Sequence, residues 1–212
     1  MVAAAPDIRT LRSARLALGL ALLAAALLAI VLVSLGTGAR AIPPDAVWNA
    51  LTAYDADVTE HRIVWDLRLP RTVAGLLVGA ALGLAGAVLQ GATRNPLADP
   101  SILGIHSGAA LFVVLGVAVL GLTQLTAYVW LAFIGAGAAM LVVYAVASLG
   151  REGATPVKLA LAGAAITAVL QSIISAILLT SPRTLDEVRF WQVGSLAGRS
   201  MDIVLQVAPF LF

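Results

Sequence analysis

Residues 68–110, RLPRTVAGLLVGAALGLAGAVLQGATRNPLADPSILGIHSGAA, decide the fold of this 212-residue chain. Two arginines lead into an apolar stretch stepped by Gly75, Gly79 and Gly83, with Gly86 close by. Glycines four apart lie near one face of a helix, and in lipid such small residues let neighbouring backbones approach closely. The stretch reads as a buried helix at the centre of a membrane bundle, and in its sharper form as one beside a translocation pathway. It then meets Asn95-Pro96 and Asp99-Pro100, where each proline pushes the residue before it out of the helical region and turns the chain. Asp99 or Ser101 is placed to cap the next helix. Gly104 and Gly108, again four apart, let that helix start close to its neighbour.

Composition puts the chain in lipid. Apolar residues make up 61% and charged residues 11%, and the mean hydropathy is +1.01, well outside the range of ordinary globular domains. A net charge of +2 is too small to argue for nucleic acid. With no cysteine there is no disulfide, thiolate nucleophile or cysteine metal site. His61 and His106 stand far apart, so a metal cluster would lean on carboxylates that sit almost wholly in loops. No metal or cofactor is expected.

Spanning a bilayer takes about 20 predominantly apolar residues. Five runs qualify, near 16–35, 73–89, 105–122, 127–149 and 159–179, and a sixth begins near 203. Lipid offers backbone groups no partners, so each run should be helical. Arg9, Arg12 and Arg15 before the first run, with Ala39-Arg40-Ala41 after it, resemble a signal peptide superficially. The apolar stretch is longer than the 7–15 residues of a signal core, however, and reads as a retained helix.

A cytoplasmic N-terminus puts Arg9, Arg12, Arg15, Arg94, Arg151 and Lys158 inside, and Arg40, Arg62, Arg68, Arg71, Arg183, Arg189 and Arg199 outside. The inside segments are much shorter and the first helix follows three arginines, so the positive-inside rule favours this orientation. The expected location is the cytoplasmic (inner) membrane, crossed many times.

Several pieces together resemble the FecCD-type permeases, the membrane subunits of importers for ferric siderophores, haem and vitamin B12. They are Arg68-Leu-Pro-Arg71, Gly79-Ala-Ala-Leu-Gly-Leu-Ala-Gly86, Gln90, Asn95-Pro-Leu-Ala-Asp-Pro100, Leu103-Gly-Ile and Gly108-Ala-Ala110. Trp191-Gln-Val-Gly-Ser-Leu196 looks like the family's tryptophan–glycine motif ahead of the sixth helix. The likeness covers roughly residues 10–212.

That resemblance implies an all-α, ten-helix permease fold, working as a pair of permease subunits around a central pathway. Two cytoplasmic ATPases would drive it, and an extracytoplasmic binding protein would deliver a metal chelate, by default a ferric siderophore. This chain reaches only the start of the sixth helix. It reads as a single transmembrane permease domain over 1–212, C-terminally incomplete, and is not expected to transport alone.

In the family, arginines matching Arg68 and Arg71 meet acidic knobs on the binding protein, a charge-assisted contact that fixes docking. By themselves the residues also fit two plainer roles, snorkelling to headgroups or pairing with Asp66 and Glu60. The fifth span carries Gln171 near its middle, with Thr167, Ser172 and Ser175 nearby and Gly163 and Ala164 one to two turns earlier. A polar side chain at bilayer depth faces protein or water. Interhelical hydrogen bonding is the simple use of Gln171, and lining the pathway with Thr167 and Ser175 is what the resemblance implies.

Thr184-Leu-Asp-Glu187 reads as a capping box, with Gly194 able to end the helix it starts. Leu185, Val188 and Trp191 fall on one face of that helix, which the resemblance makes an outer gate. Trp191, Phe190 and Trp48 also suit an interfacial aromatic belt. His106 reads as a packed residue and Gln90 as one that bonds the adjoining loop.

Enzyme readings fare poorly. The chain lacks the G-x-x-x-x-G-K-[ST] phosphate loop, so ATP hydrolysis would belong to partner subunits. It also lacks HExxH and GxSxG, and no helix carries a carboxylate pair for acid–base work. A secondary transporter would carry ionisable residues in its spans, and the five complete runs hold no Asp, Glu, Lys or Arg. A truncated, non-transporting permease remnant is the other alternative.

Overall fold

The computed structural model describes residues 8–96, 98–122, 125–150 and 153–211, with the side chains of 8–12, 92, 102, 125, 126 and 190–192 left aside. Among the described residues the chain is helical and has no strand. In order come α1 (Ile8–Gly36), α2 (Pro44–Thr52), α3 (Thr59–Arg62), a π-turn (Ile63–Arg68), α4 (Leu69–Thr93), a 3₁₀ turn (Pro100–Leu103), α5 (Ile105–Leu120), α6 (Leu125–Ala147), α7 (Pro156–Thr180), α8 (Pro182–Gln192), α9 (Met201–Val207) and a closing 3₁₀ turn (Ala208–Phe210). The all-α expectation holds.

Among the described residues four helical stretches are long and apolar enough to cross a membrane: Ser13–Gly36, Thr59–Gly91, Ala127–Ala147 and Pro156–Thr180. Two differences from the sequence expectation have physical causes. The second span starts well before residue 73, because α3, the π-turn and α4 form one helical stretch. Its 33 residues measure about 50 Å at 1.5 Å per residue, far more than the roughly 30 Å of hydrocarbon. The third run gives only the 16-residue α5, about 24 Å long. Gly104 at φ 70° sets its start and Gly121 at φ 62° its end, where the Gly121 N–H bonds to the Gly116 and Val117 carbonyls.

The π-turn ends two residues ahead of Pro70. Proline has no N–H to give to the carbonyl one turn back, and its ring crowds that carbonyl. A widened turn relieves both, with the Leu69 N–H reaching five residues back to Val64.

The helices group into two compact units. One comprises residues up to Leu76 with Ala197–Val204. Its core joins Leu35 at the end of α1, Ile42, Val47 and Ala50 of α2, and Val64 of the π-turn, with Ala46, Ile63 and Leu69 packed around them. Trp65 donates from Nε1 to the Ala50 carbonyl at 2.7 Å. The membrane window of α1 is unburied, with Leu20, Leu23 and Ile30 largely exposed, as expected of a lipid-facing helix.

The other unit comprises Leu77–Leu196 with residues from Leu205 on. One of its clusters joins Leu111, Val114 and Val117 of α5 to Ile174 of α7 and Val188 of α8. A second joins Val143 and Ala147 of α6 to Ala162 of α7, with Leu103 and Ile166 around it. Tight glycine packing draws α5 against α6: a methyl group on Gly108 would overlap Gly135 and Ala139, and one on Gly116 would overlap Leu131.

Candidate functional site

In the first unit the two arginines lie inside the helical stretch rather than in a loop, and both turn toward the end of α1. A helix leaves its last four carbonyls without partners. Arg68, buried at 4% exposure, donates from Nη1 to the Leu35 carbonyl at 2.6 Å and from Nη2 to the Arg40 carbonyl. Arg71, half-buried, donates from Nη2 to the carbonyls of Ser34 at 3.0 Å and Thr37 at 3.3 Å, and reaches the Ser34 hydroxyl at 3.4 Å. A 2.8 Å hydroxyl pair between Ser34 and Thr72 completes the contact. Arg68, Arg71 and Thr72 meet there because residues three and four apart share a helix face.

Neither arginine pairs with Asp66 or Glu60 in the ion pairs found among the described residues. Glu60 is instead taken by Arg40, at 2.8 Å. Arg62 is exposed on the same stretch. The arginine positions were legible as a motif; their burial against α1 was not, because Ser34 and Leu35 sit inside a run that reads as lipid-facing.

In the second unit, Thr167, Gln171 and Ser175 stand four apart on α7 and share one face. Gln171 and Ser175 are exposed and Thr167 is half-buried. Gln171 donates from Nε2 to the Ser107 hydroxyl on α5 at 3.2 Å, and Ser107 is itself buried. Sequence reasoning passed over Ser107, although a serine one residue before Gly108 was a visible signal. Ser172 instead bonds its own helix at the Ala168 carbonyl, at 2.8 Å. Thr167 abuts the start of α5: a methyl group on Gly104 would lie 3.3 Å from its Oγ1.

The turn after α4 is closed from within. Gln90 donates from Nε2 to the Pro96 carbonyl at 3.1 Å, and the Ala98 N–H bonds to the Asn95 carbonyl at 3.1 Å. Asp99 provides the cap, accepting from the Ser101 N–H at 2.7 Å and from the Ser101 hydroxyl, ahead of Pro100. Those two bonds favour the charged form and hold the Asp99 carboxyl below its ordinary value. Arg94 carries a left-handed φ of 50° at the end of α4, and Leu97 lies outside the described residues. A cleft of about 270 Å³ opens beside this turn, with Thr93, Asn95, Asp99, Met140, Tyr144 and Leu159 among its walls. His106 is exposed.

The glycines divide sharply. Gly79, Gly83 and Gly86 each face open space, with nothing within 4 Å of an added methyl, and Gly75 is half-buried. Gly104 and Gly108 meet α6 or α7 closely. Gly135, the partner of Gly108, was missed, although Gly135-Ala-Gly137 on α6 was a small-residue signal.

The helix expected to start at Thr184 starts instead at Pro182. Ser181 caps it, accepting from the Thr184 N–H at 3.4 Å and pairing hydroxyls at 2.8 Å; a proline at the first helical position suits that start. Thr184 is buried one turn inside α8 beside Val188, so these two mark the packed face, while Leu185 is exposed. Glu187 pairs with Arg183 at 3.6 Å. Gly194 has φ 67° just past the helix end, and the side chain of Trp191 lies outside those described. Among the described residues no group of three or more His, Cys, Asp or Glu could hold a metal ion.

Comparison with known proteins matches residues 26–212 to the FecCD transport family. The chain is 46% identical over 170 residues to the ferric enterobactin transport system permease protein FepD of Escherichia coli, covering 79% of this chain and 50% of that protein. It is 42% identical over 164 residues to the probable siderophore transport system permease protein YfiZ of Bacillus subtilis, covering 77% and 49%. A solved structure assigned to a metal-chelate type ABC transporter in an inward-facing conformation superposes with a TM-score of 0.65 at 27% identity, over 90% of this chain and 56% of that one. The chain spans about half the length of the curated relatives it matches.

Proposed function

This chain belongs to the FecCD transport family, and from that membership we propose that it forms a membrane-spanning permease part of a binding-protein-dependent ABC importer for a metal chelate. The match over 26–212 carries this reading, and the membrane-length helices found among the described residues agree with it. The relatives named for siderophore and enterobactin transport favour a ferric siderophore as cargo. ATP hydrolysis falls to separate cytoplasmic ATPase subunits. A second permease subunit completes the pathway, and an extracytoplasmic protein delivers the chelate.

With the N-terminus in the cytoplasm and the shorter α5 counted as a further crossing, alternation of the helices favours the arginine cluster and α8 outside and the turn after α4 inside. Arg71, half-buried with Arg62 exposed nearby, suits docking of an acidic protein surface, and Arg68 supports the same face from beneath. Thr167, Gln171 and Ser175 give α7 a polar face suited to a water-filled pathway. The open glycine face of α4 suits close approach by another helix. Around Thr184, Glu187, Trp191 and Gly194, α8 suits an outer gate.

The test is purification of the native complex from membranes, followed by reconstitution with its binding protein. Recovery with an ATPase and ATP-dependent uptake of a radiolabelled ferric chelate is the expected result. Recovery without any ATPase, or uptake indifferent to ATP, overturns the reading.

A further inference from the structure

We infer that Arg68 is a positioning residue: it clamps the outer end of α1 and the segment after it onto the π-turn, and leaves the docking charge of this face to its neighbours. The observations are independent of what docks there. Arg68 is buried, and its two terminal nitrogens are spent on two carbonyls five residues apart, Leu35 and Arg40. One carbonyl belongs to the last turn of α1 and the other to the segment beyond it, so a single planar fork spans the junction.

Around it the clamp is completed by a second arginine, a hydroxyl pair and a glycine. Arg71 holds Ser34 and Thr37, Thr72 holds the Ser34 hydroxyl, and Gly38 leaves room for the guanidinium. A methyl on Gly38 would lie 3.3 Å from Arg68 Nη2. The membrane window of α1 is itself unburied.

Guanidinium geometry separates this role from a charge role. A fork with fixed, divergent donors reaches two carbonyls at once, whereas a lysine ammonium is a point charge on a flexible stem. A docking charge survives Arg68→Lys and is lost in Arg68→Gln. A clamp behaves the other way, because lysine keeps the charge and loses the fork, and the glutamine amide keeps a planar donor.

The chain has no cysteine, so Ala39→Cys, in the exposed segment between Gly38 and Arg40, provides a unique site for a nitroxide label. The label's mobility is read by electron paramagnetic resonance with the chain in lipid vesicles. The clamp predicts an ordered label in the parent, a severalfold faster one in Arg68→Ala and Arg68→Lys, an intermediate one in Arg68→Gln, and no change in Arg62→Ala. An unchanged label in Arg68→Ala and Arg68→Lys overturns it, as does equal release by Arg62→Ala. Gly38→Ala, which crowds the guanidinium and keeps every charge, decides the matter where an Arg68 variant does not reach the membrane: a mobile label supports the clamp and an ordered one overturns it. None of these readouts involves a binding protein, so the clamp and the docking reading fail separately.

Discussion

Gly108 of α5 and Gly135 of α6 face each other so closely that a methyl group on either would overlap the other's carbonyl oxygen. In lipid, where hydrophobicity does not drive helices together, such backbone contact is a principal source of association. Gly108→Ala or Gly135→Ala should therefore destabilise the chain by about 1–3 kcal/mol, the usual cost of overpacking. Gly137→Ala, with open space around it, should not. Thermal unfolding in detergent checks this, and equal melting temperatures for all three variants would contradict it.

Gly79 and Gly83 make the opposite prediction. With nothing within 4 Å of an added methyl, Gly79→Ala and Gly83→Ala should leave the chain as stable as before or raise its stability by up to about 1 kcal/mol through helix propensity. Association with a partner helix should weaken instead. Melting of the isolated chain, set beside recovery of the assembled complex, separates the two effects.

The Gln171–Ser107 bond is open to a double-mutant cycle. Interhelical hydrogen bonds of this kind are worth about 0.6 kcal/mol on average and rarely more than about 1.7. Gln171→Ala and Ser107→Ala should each destabilise by that order, and the double variant by less than their sum. Strict additivity would mean that the bond contributes nothing.

Asp99 gives a pH signature. Its carboxyl is held below the ordinary aspartate value of 3.8 by the Ser101 hydroxyl and N–H. The stabilisation is complete above that value and fades as pH falls through the lower folded one. The Ser101 amide resonance should therefore titrate with a midpoint below 3.8 and be flat between pH 5 and 8. Asp99→Asn should abolish the titration while keeping the cap, since the amide oxygen still accepts. A midpoint at or above the ordinary value would mean that the cap does not form.

The long helices were legible because lipid leaves an apolar run no other regular structure. Their ends were harder. His61, Asp66, Arg68 and Arg71 made the stretch before residue 73 read as a loop, and no periodicity announces a π-turn; the one signal was Pro70. At α8, Ser181 and Thr184 both begin plausible caps, and choosing Ser181 needed the knowledge that Pro182 opens the helix. For α5, Gly104 and Gly121 were visible, yet nothing in a continuous apolar run says which glycine turns left-handed. The site was legible as residue types and not as partnerships. Gln171 was identifiable, its bond to Ser107 was not, and an arginine tucked against helix carbonyls is indistinguishable in sequence from one facing water.

A helix gripped at one end behaves as a cantilever. The side-chain holds on α1 described above fall at Ser34 and Leu35, near one end, while its membrane window is unburied. Bilayer thickness can then set the inclination of its free length at small energetic cost, without any buried side chain changing its neighbours. Lipid composition thus acts as a lever arm on this helix, with the arginine-bearing turn as its fulcrum.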